Sequence, residues 1–218
     1  MLTLLFDLLF PKHSLEGAEG VWMTDDERSR MQMQPLLLHH ALLRKKGLKH
    51  IDAVIAAGRY DQSPLLQKAI LTFKYRRISG LANDLALRMA TATHGLLLTP
   101  EDLKGCAPVL CPVPLHWSRR YHRGFNQAAL LAQGIGREKG WQTRELLRRV
   151  RPTGHQAWRS RAERLTALID AFEAVSTVPE YVILVDDLTT TGATLDECAK
   201  ALKKAGARQV AAIVAAYG

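Results

Sequence analysis

The residues best placed to do chemistry lie between Val182 and Thr194, which read Val-Ile-Leu-Val-Asp-Asp-Leu-Thr-Thr-Thr-Gly-Ala-Thr. Asp186 and Asp187 are adjacent carboxylates that can hold sugar hydroxyls or a metal ion. Thr190, Thr191, Gly192, Ala193 and Thr194 follow, a run of small residues rich in hydroxyls. Such a run can turn backbone N–H groups and hydroxyls toward one point ahead of a helix N-terminus, where a phosphate is favoured. Gly192 would let the backbone approach closely. A phosphate cradle beside two carboxylates points to a phosphorylated ribose. The same letters could make a plain βα turn with a solvated acid pair, but strand, acids and loop occur here in register. No Gly-x-x-x-x-Gly-Lys occurs, which weighs against a nucleotide triphosphatase.

Positioning such a site requires a strand and a helix. Val182 to Val185 is a short apolar, mostly β-branched run, as expected of a strand buried on both faces of a parallel sheet, with the acid pair following at its end. In open parallel sheets ligands bind outside the carboxyl ends of strands, so the pair is expected at the rim of a crevice. Leu195, Cys198, Ala199 and Leu202 have helical spacing, and Gly206 marks the stop.

The rest of the chain alternates in the same way. Ile51 to Tyr60, Val109 to Pro114 and Val210 to Ala216 read as strands, and Pro112 and Pro114 suggest that the second of these ends early and turns sharply. Leu66, Ala69, Ile70 and Phe73 mark one helix, Ile78 to about Thr93 a second, and Ala128, Leu131, Ala132 and Ile135 a third. Lys74 ends the first of these, where a cation favours the helix dipole; that role competes with a ligand role. Lys12 to Arg30 shows no convincing period and reads as an irregular arm. The alternation as a whole indicates an α/β fold with a parallel sheet flanked by helices.

The net charge is +9 over 218 residues, and it is localised. His116 to Arg164 contains twelve Arg or Lys against three Glu, a composition suited to pyrophosphate, nucleic acid or both. Arg119, Arg120 and Arg123 are candidates for planar capture of phosphate oxygens. Arg148 to Arg164 includes Arg151, Gln156 and Trp158 around the turn signal Pro152-Thr153-Gly154, and could be a hood over a phosphate site or an ordinary loop.

Hydrophobic residues make up 47% of the chain, enough for a real core. Cys106, Cys111 and Cys198 are too few and too scattered for a disulfide framework or a zinc site. Cys198 is expected in the core. Met1 to Phe10 is apolar, but it is too short for a membrane span, carries Asp7 and lacks the features of a signal peptide. No membrane span and a cytoplasmic location are therefore expected. The sequence sets no oligomeric state.

Several segments together resemble the ComF family, competence-associated proteins with a type I phosphoribosyltransferase domain, including the GntX-like proteins. They are Leu8-Leu9-Phe10-Pro11, Phe73-Lys74-Tyr75, Pro112-Val113-Pro114-Leu115, Arg123-Gly124-Phe125-Asn126-Gln127, Arg148 with Thr153 and Gln156, Arg164, and the acid-pair motif. The resemblance implies a phosphoribosyltransferase-like domain over 51–218 behind a small N-terminal arm over 1–50. It implies that Asp186 and Asp187 hold the ribose hydroxyls of phosphoribosyl pyrophosphate, directly or through Mg2+, and that Thr190 to Thr194 hold the 5-phosphate. Leu115, Ser118, Arg119 and Arg123 would meet pyrophosphate, and Lys74, Arg151 and Gln156 are possible hood or acceptor contacts. Such proteins usually carry a cysteine-ligated zinc module before the first strand. Lys12 to His50 contains no cysteine, so no zinc is expected here.

Two functions follow from the resemblance. One is Mg-dependent phosphoribosyl transfer to an unknown acceptor, a pentosyl-group glycosyltransferase activity linked to DNA uptake. The other is a non-catalytic module in DNA uptake or processing that binds a ribose phosphate or single-stranded DNA, with competence proteins as partners.

Overall fold

A computed structural model describes residues 13–31, 33–75, 80–93, 107–115, 125–150 and 168–218, with the backbone alone at Tyr75. In chain order the elements are α1 (Asp25–Arg30), β1 (Leu36–His39), α2 (His40–Lys45), β2 (Ala53–Arg59), α3 (Pro64–Tyr75), α4 (Leu81–Ala92), β3 (Val109–Pro112), α5 (Gln127–Lys139), β4 (Leu147–Arg149), β5 (Phe172–Ala174), β6 (Tyr181–Thr189), α6 (Ala193–Lys204) and β7 (Gln209–Tyr217). Five strands form one sheet in the order β1-β2-β7-β6-β3, and β4 and β5 form a separate antiparallel pair. Within the large sheet only β1 runs antiparallel to its neighbour. The expected parallel sheet flanked by helices is present.

Side chains alternate along a strand, and the core divides accordingly. Ile55, Ile183, Val185 and Ile213 pack with Leu66, Ile70 and Phe73 of α3, Leu85 and Met89 of α4, and Leu131 and Ile135 of α5. Val54, Val182, Leu184 and Val214 pack on the other face with Leu195, Cys198 and Leu202 of α6 and with Leu43 and Leu48. The sheet is thus buried on both faces, which explains why its central strands read as continuous apolar runs. Gly134 of α5 allows the close α4 crossing, since a Cβ there would lie 2.4 Å from that of Ala86.

The segment before β2 departs from its reading. Lys12 lies outside the described residues, but 13–31 includes a helix where an irregular arm is expected. Thr24 caps α1 and Glu27 returns the bond, so two donors that the helix itself cannot satisfy are held by this capping box. Glu27 is 1% exposed and also accepts from the Ser14 hydroxyl at 2.8 Å and the Glu16 N–H at 2.6 Å. Arg28 then ties α1 to α4 through Asp84, at 2.7 Å. Further on, β1 adds to the sheet edge, with Leu36 opposite Ala56 and His39 opposite Ala53. The N-terminal apolar stretch Met1 to Phe10 lies outside the described residues.

Candidate functional site

Strand β6 is longer than its apolar run. Val182 to Val185 predicts a strand ending before the acids, whereas β6 continues through Asp186 and Asp187 to Thr189. The cause is its neighbour, because β7 offers nine residues and pairs as far as Thr189 opposite Tyr217. On the other side β3 pairs only from Val109 opposite Val182 to Pro112 opposite Val185. One more bond, from the Val113 N–H to the Val185 carbonyl at 2.9 Å, closes that ladder. Pro114 has no N–H to continue it. From Asp186 onward β6 therefore has no ladder partner on its β3 side among the described residues. Among the described residues this leaves a notch at the acid pair.

The two acids do not share one face. Successive residues of a strand point to opposite sides, so Asp187 faces the layer of α3, α4 and α5 while Asp186 faces α6. Asp187 is 5% exposed, and its Oδ1 lies 2.8 Å from Lys74 Nζ. Asp186 is half-buried, and its Oδ1 accepts the Asp187 N–H at 2.8 Å. Lys74 sits in the last turn of α3, which starts just after β2 and ends at β6. Since β7 lies between those strands, α3 crosses the carboxyl ends of the sheet on that face. Lys74 therefore does more than complement the helix dipole. Its neighbour Phe73 is fully buried and meets the Phe125 ring at 5.9 Å.

Phe125 leads into Asn126, the N-cap of α5. Asn126 Oδ1 accepts from the Ala128 N–H, and its Nδ2 donates to the Val113 carbonyl at 3.2 Å. One side chain thereby satisfies the helix start and holds the exit of β3 beside the notch. Leu115 lies on that exit, half-buried.

After Thr189 the turn is short. Thr190 and Thr191 lead to Gly192, which caps α6 at φ 80°, so Ala193 and Thr194 already belong to the helix. Thr191 Oγ1 accepts from the Ala193 N–H at 3.3 Å. The following N–H groups have no intrahelical carbonyl to bond, and they leave the positive end of the helix dipole at this turn. Gly192 is required twice over: its conformation is left-handed, and a Cβ would lie 2.6 Å from Leu48 Cδ1. Asp196, one turn in, is buried and accepts from the backbone N–H groups of Lys49, His50 and Ile51 at 3.0, 2.6 and 2.9 Å. That clamp fastens the residues before β2 against the loop. Sequence reading assigned no role to Asp196 or Leu48, and placed Asn126 in a family segment without its capping role; only the acid in the first helical turn and the Asn before an apolar run carried any local signal.

The structure brings together Lys74, Leu115, Asp186, Asp187 and Thr190 to Thr194 at the carboxyl edge of the sheet. Ser118, Arg119, Arg120, Arg123, Arg151, Gln156, Trp158 and Arg164 lie outside the described residues. Cys198 lies fully buried in the core, as expected, near Cys111. Burial pushes the Cys111 thiol up to about 12, against the opposing pull of the Leu146 and Leu147 backbone. The Cys198 thiol is raised for the same reason. Neither is a nucleophile. Among the described residues no helix is long and apolar enough to cross a membrane.

Competence protein F of Haemophilus influenzae is 37% identical over 173 residues, spanning 73% of this chain and 70% of that protein. The chain belongs to the competence protein F family. The DNA utilization protein YhgH of Escherichia coli is 33% identical over 154 residues, covering 69% of this family member and 66% of the relative. Competence protein ComFC of Streptococcus pneumoniae is 34% identical over 99 residues, 45% of this chain and 43% of that one. No family model matches. Among solved structures, an allosteric regulatory enzyme of purine biosynthesis aligns at 19% identity with a TM-score of 0.43, covering 67% of this chain and 30% of that one.

Proposed function

We propose that the notch binds phosphoribosyl pyrophosphate with Mg2+ and that the protein acts in DNA uptake, transferring the phosphoribosyl group to an acceptor. The observation that carries this reading is the end of β6, where Asp186 and Asp187, without a partner on the β3 side among the described residues, run directly into a glycine-capped helix N-terminus. A ribose can lie along that edge while its 5-phosphate takes the N–H groups of the Thr190 to Thr194 segment. Asp186 and Asp187 would hold ribose hydroxyls, and Arg119 or Arg123 the pyrophosphate. Catalysis would come from positioning and from stabilising charge near the oxocarbenium-like centre.

The donor set suits Mg2+ only when a ligand supplies further oxygens. Among the described residues no three or more His, Cys, Asp or Glu gather around one point, and Mg2+ is usually held by one or two carboxylates together with substrate phosphates. Asp186 and Asp187 would be the protein's share. The metal, when bound, would neutralise charge on the leaving pyrophosphate. A cytoplasmic location belongs to the same proposal.

A second reading, a non-catalytic module that holds single-stranded DNA, has its own support. Lys45, Lys46 and Lys49 are exposed, their ammonium groups have no acidic partner among the described residues, and they flank Leu48, which touches Gly192. Lys46 Nζ also lies 5.5 Å from the centre of the Tyr217 ring at the end of β7. Calorimetric titration of phosphoribosyl pyrophosphate with and without Mg2+ separates the two. Saturable, Mg-dependent binding that Asp187→Asn removes is expected. Absence of binding by folded protein would leave the DNA module, whose affinity should fall steeply with salt.

A further inference from the structure

The contact between Lys74 and Asp187 places a cation where the proposed metal would act. Lys74 Nζ is 2.8 Å from Asp187 Oδ1, and the two side chains are only 16% and 7% exposed. Salt and water screen such a pair far less than one on the surface. The end of α3 is not free to swing, because Phe73 is fully buried and packed near the Phe125 ring. Helix-end electrostatics would be served by an ammonium anywhere near the last carbonyls. This one instead bonds across to the strand that carries the acids.

We infer that Lys74 is the resident counter-ion of Asp187, so that a divalent cation reaches this carboxylate only by displacing it. The inference rests on the proposed function in taking Asp187 as part of a metal and ribose site. An ammonium and a divalent ion on one carboxylate repel each other strongly in a poorly solvated site. The protein without ligand therefore holds free metal weakly. A metal that arrives on a diphosphate brings its own anionic oxygens, and the released ammonium becomes a point-charge partner for them. Lys74 thus suppresses idle metal binding and couples loading of the acid pair to arrival of the anion.

The test titrates Mn2+ alone into the full chain and reads free Mn2+ by electron paramagnetic resonance. Wild type, Lys74→Gln, Lys74→Met and the double variant Lys74→Gln with Asp187→Asn are compared. Gln keeps an N–H to Asp187 and guards against a variant that merely fails to fold. Both single variants should bind Mn2+ at least about tenfold more tightly than wild type, the factor expected when a competitor holds the site nine-tenths of the time. The double variant should lose that gain. Folded single variants that bind Mn2+ no more tightly than wild type, or a gain that survives Asp187→Asn, would overturn the inference. A gain in Mn2+ affinity alongside no binding of phosphoribosyl pyrophosphate would uphold the counter-ion and reject the enzyme reading alone.

Discussion

The carboxylate of Asp196, in the first turn of α6, accepts the backbone N–H of His50 at 2.6 Å, and so joins the helix behind the acid pair to the segment that enters β2. It accepts from Lys49 and Ile51 as well. Three N–H groups converge on one anion, an arrangement that Asn cannot reproduce with a single carbonyl oxygen. We predict that Asp196→Ala lowers stability by about 1.5–3 kcal/mol, as for hydrogen bonds to a charged group, read by chemical denaturation. Asp196→Asn should cost less. An unchanged denaturation midpoint in the Ala variant would show that the loop is held by its apolar contacts instead.

Gly192 is the position where the proposed phosphate loop is most easily spoiled. Its φ of 80° strains any residue with a Cβ, and that Cβ would press on Leu48. Gly192→Ala should therefore cost about 1–3 kcal/mol and weaken binding of ribose 5-phosphate or phosphoribosyl pyrophosphate by more than the stability loss predicts. Calorimetry on the folded variant checks this. Full affinity in Gly192→Ala would mean that the loop does not hold the phosphate.

How far these features were legible depends on how local their causes are. The cores of β2, β6 and β7 and the inward face of α3 follow from apolar runs and helical spacing that any window of the chain displays. The extension of β6 through the acids does not, because it depends on β7, and the notch depends on where β3 stops. β1 is four residues, Leu36 to His39, and its apolar letters suit helix or strand equally. The strands β4 and β5 have three residues each, too few to show a period. The capping box of α1 is local, Thr24 with Glu27, but no apolar period follows it to mark a helix. The contact of Lys74 with Asp187 joins residues far apart in the chain, and no spacing rule anticipates it.

Glu27 gives the fold a pH dependence with a definite sign. Burial acts to raise its carboxyl, but bonds from the Thr24 and Glu16 backbone and the Ser14 and Thr24 hydroxyls outweigh burial and hold it below the ordinary 4.5. A carboxyl depressed in the folded state adds stability above its unfolded value, and that contribution is lost as pH falls through the folded value. We predict that Glu27→Gln is less stable than wild type at pH 7 and that the gap narrows below about pH 4.5, the ordinary carboxyl value. Denaturation curves across that range provide the check; a gap independent of pH would assign the loss to packing.

The buried thiols supply a probe of the sheet itself. Cys111 lies on β3 and Cys198 on α6, both fully buried and both raised by that burial. Thiolate is the reactive form, so at pH 8 neither offers an attacking group while the layers are closed. Cys106 lies outside the described residues, and a Cys106→Ser variant leaves the two core thiols as the protein's only ones. In that variant a disulfide reagent should react with no thiol under native conditions and with two once guanidinium unfolds the chain. At intermediate denaturant the rate should follow global unfolding, because exposing either sulfur requires parting α6 from the face of the sheet that carries Leu184 and Val214. Fast native labelling would mean that α6 leaves the sheet by a local motion. The helix that Gly192 caps would then be too loosely docked to hold a phosphate in register with Asp186 and Asp187.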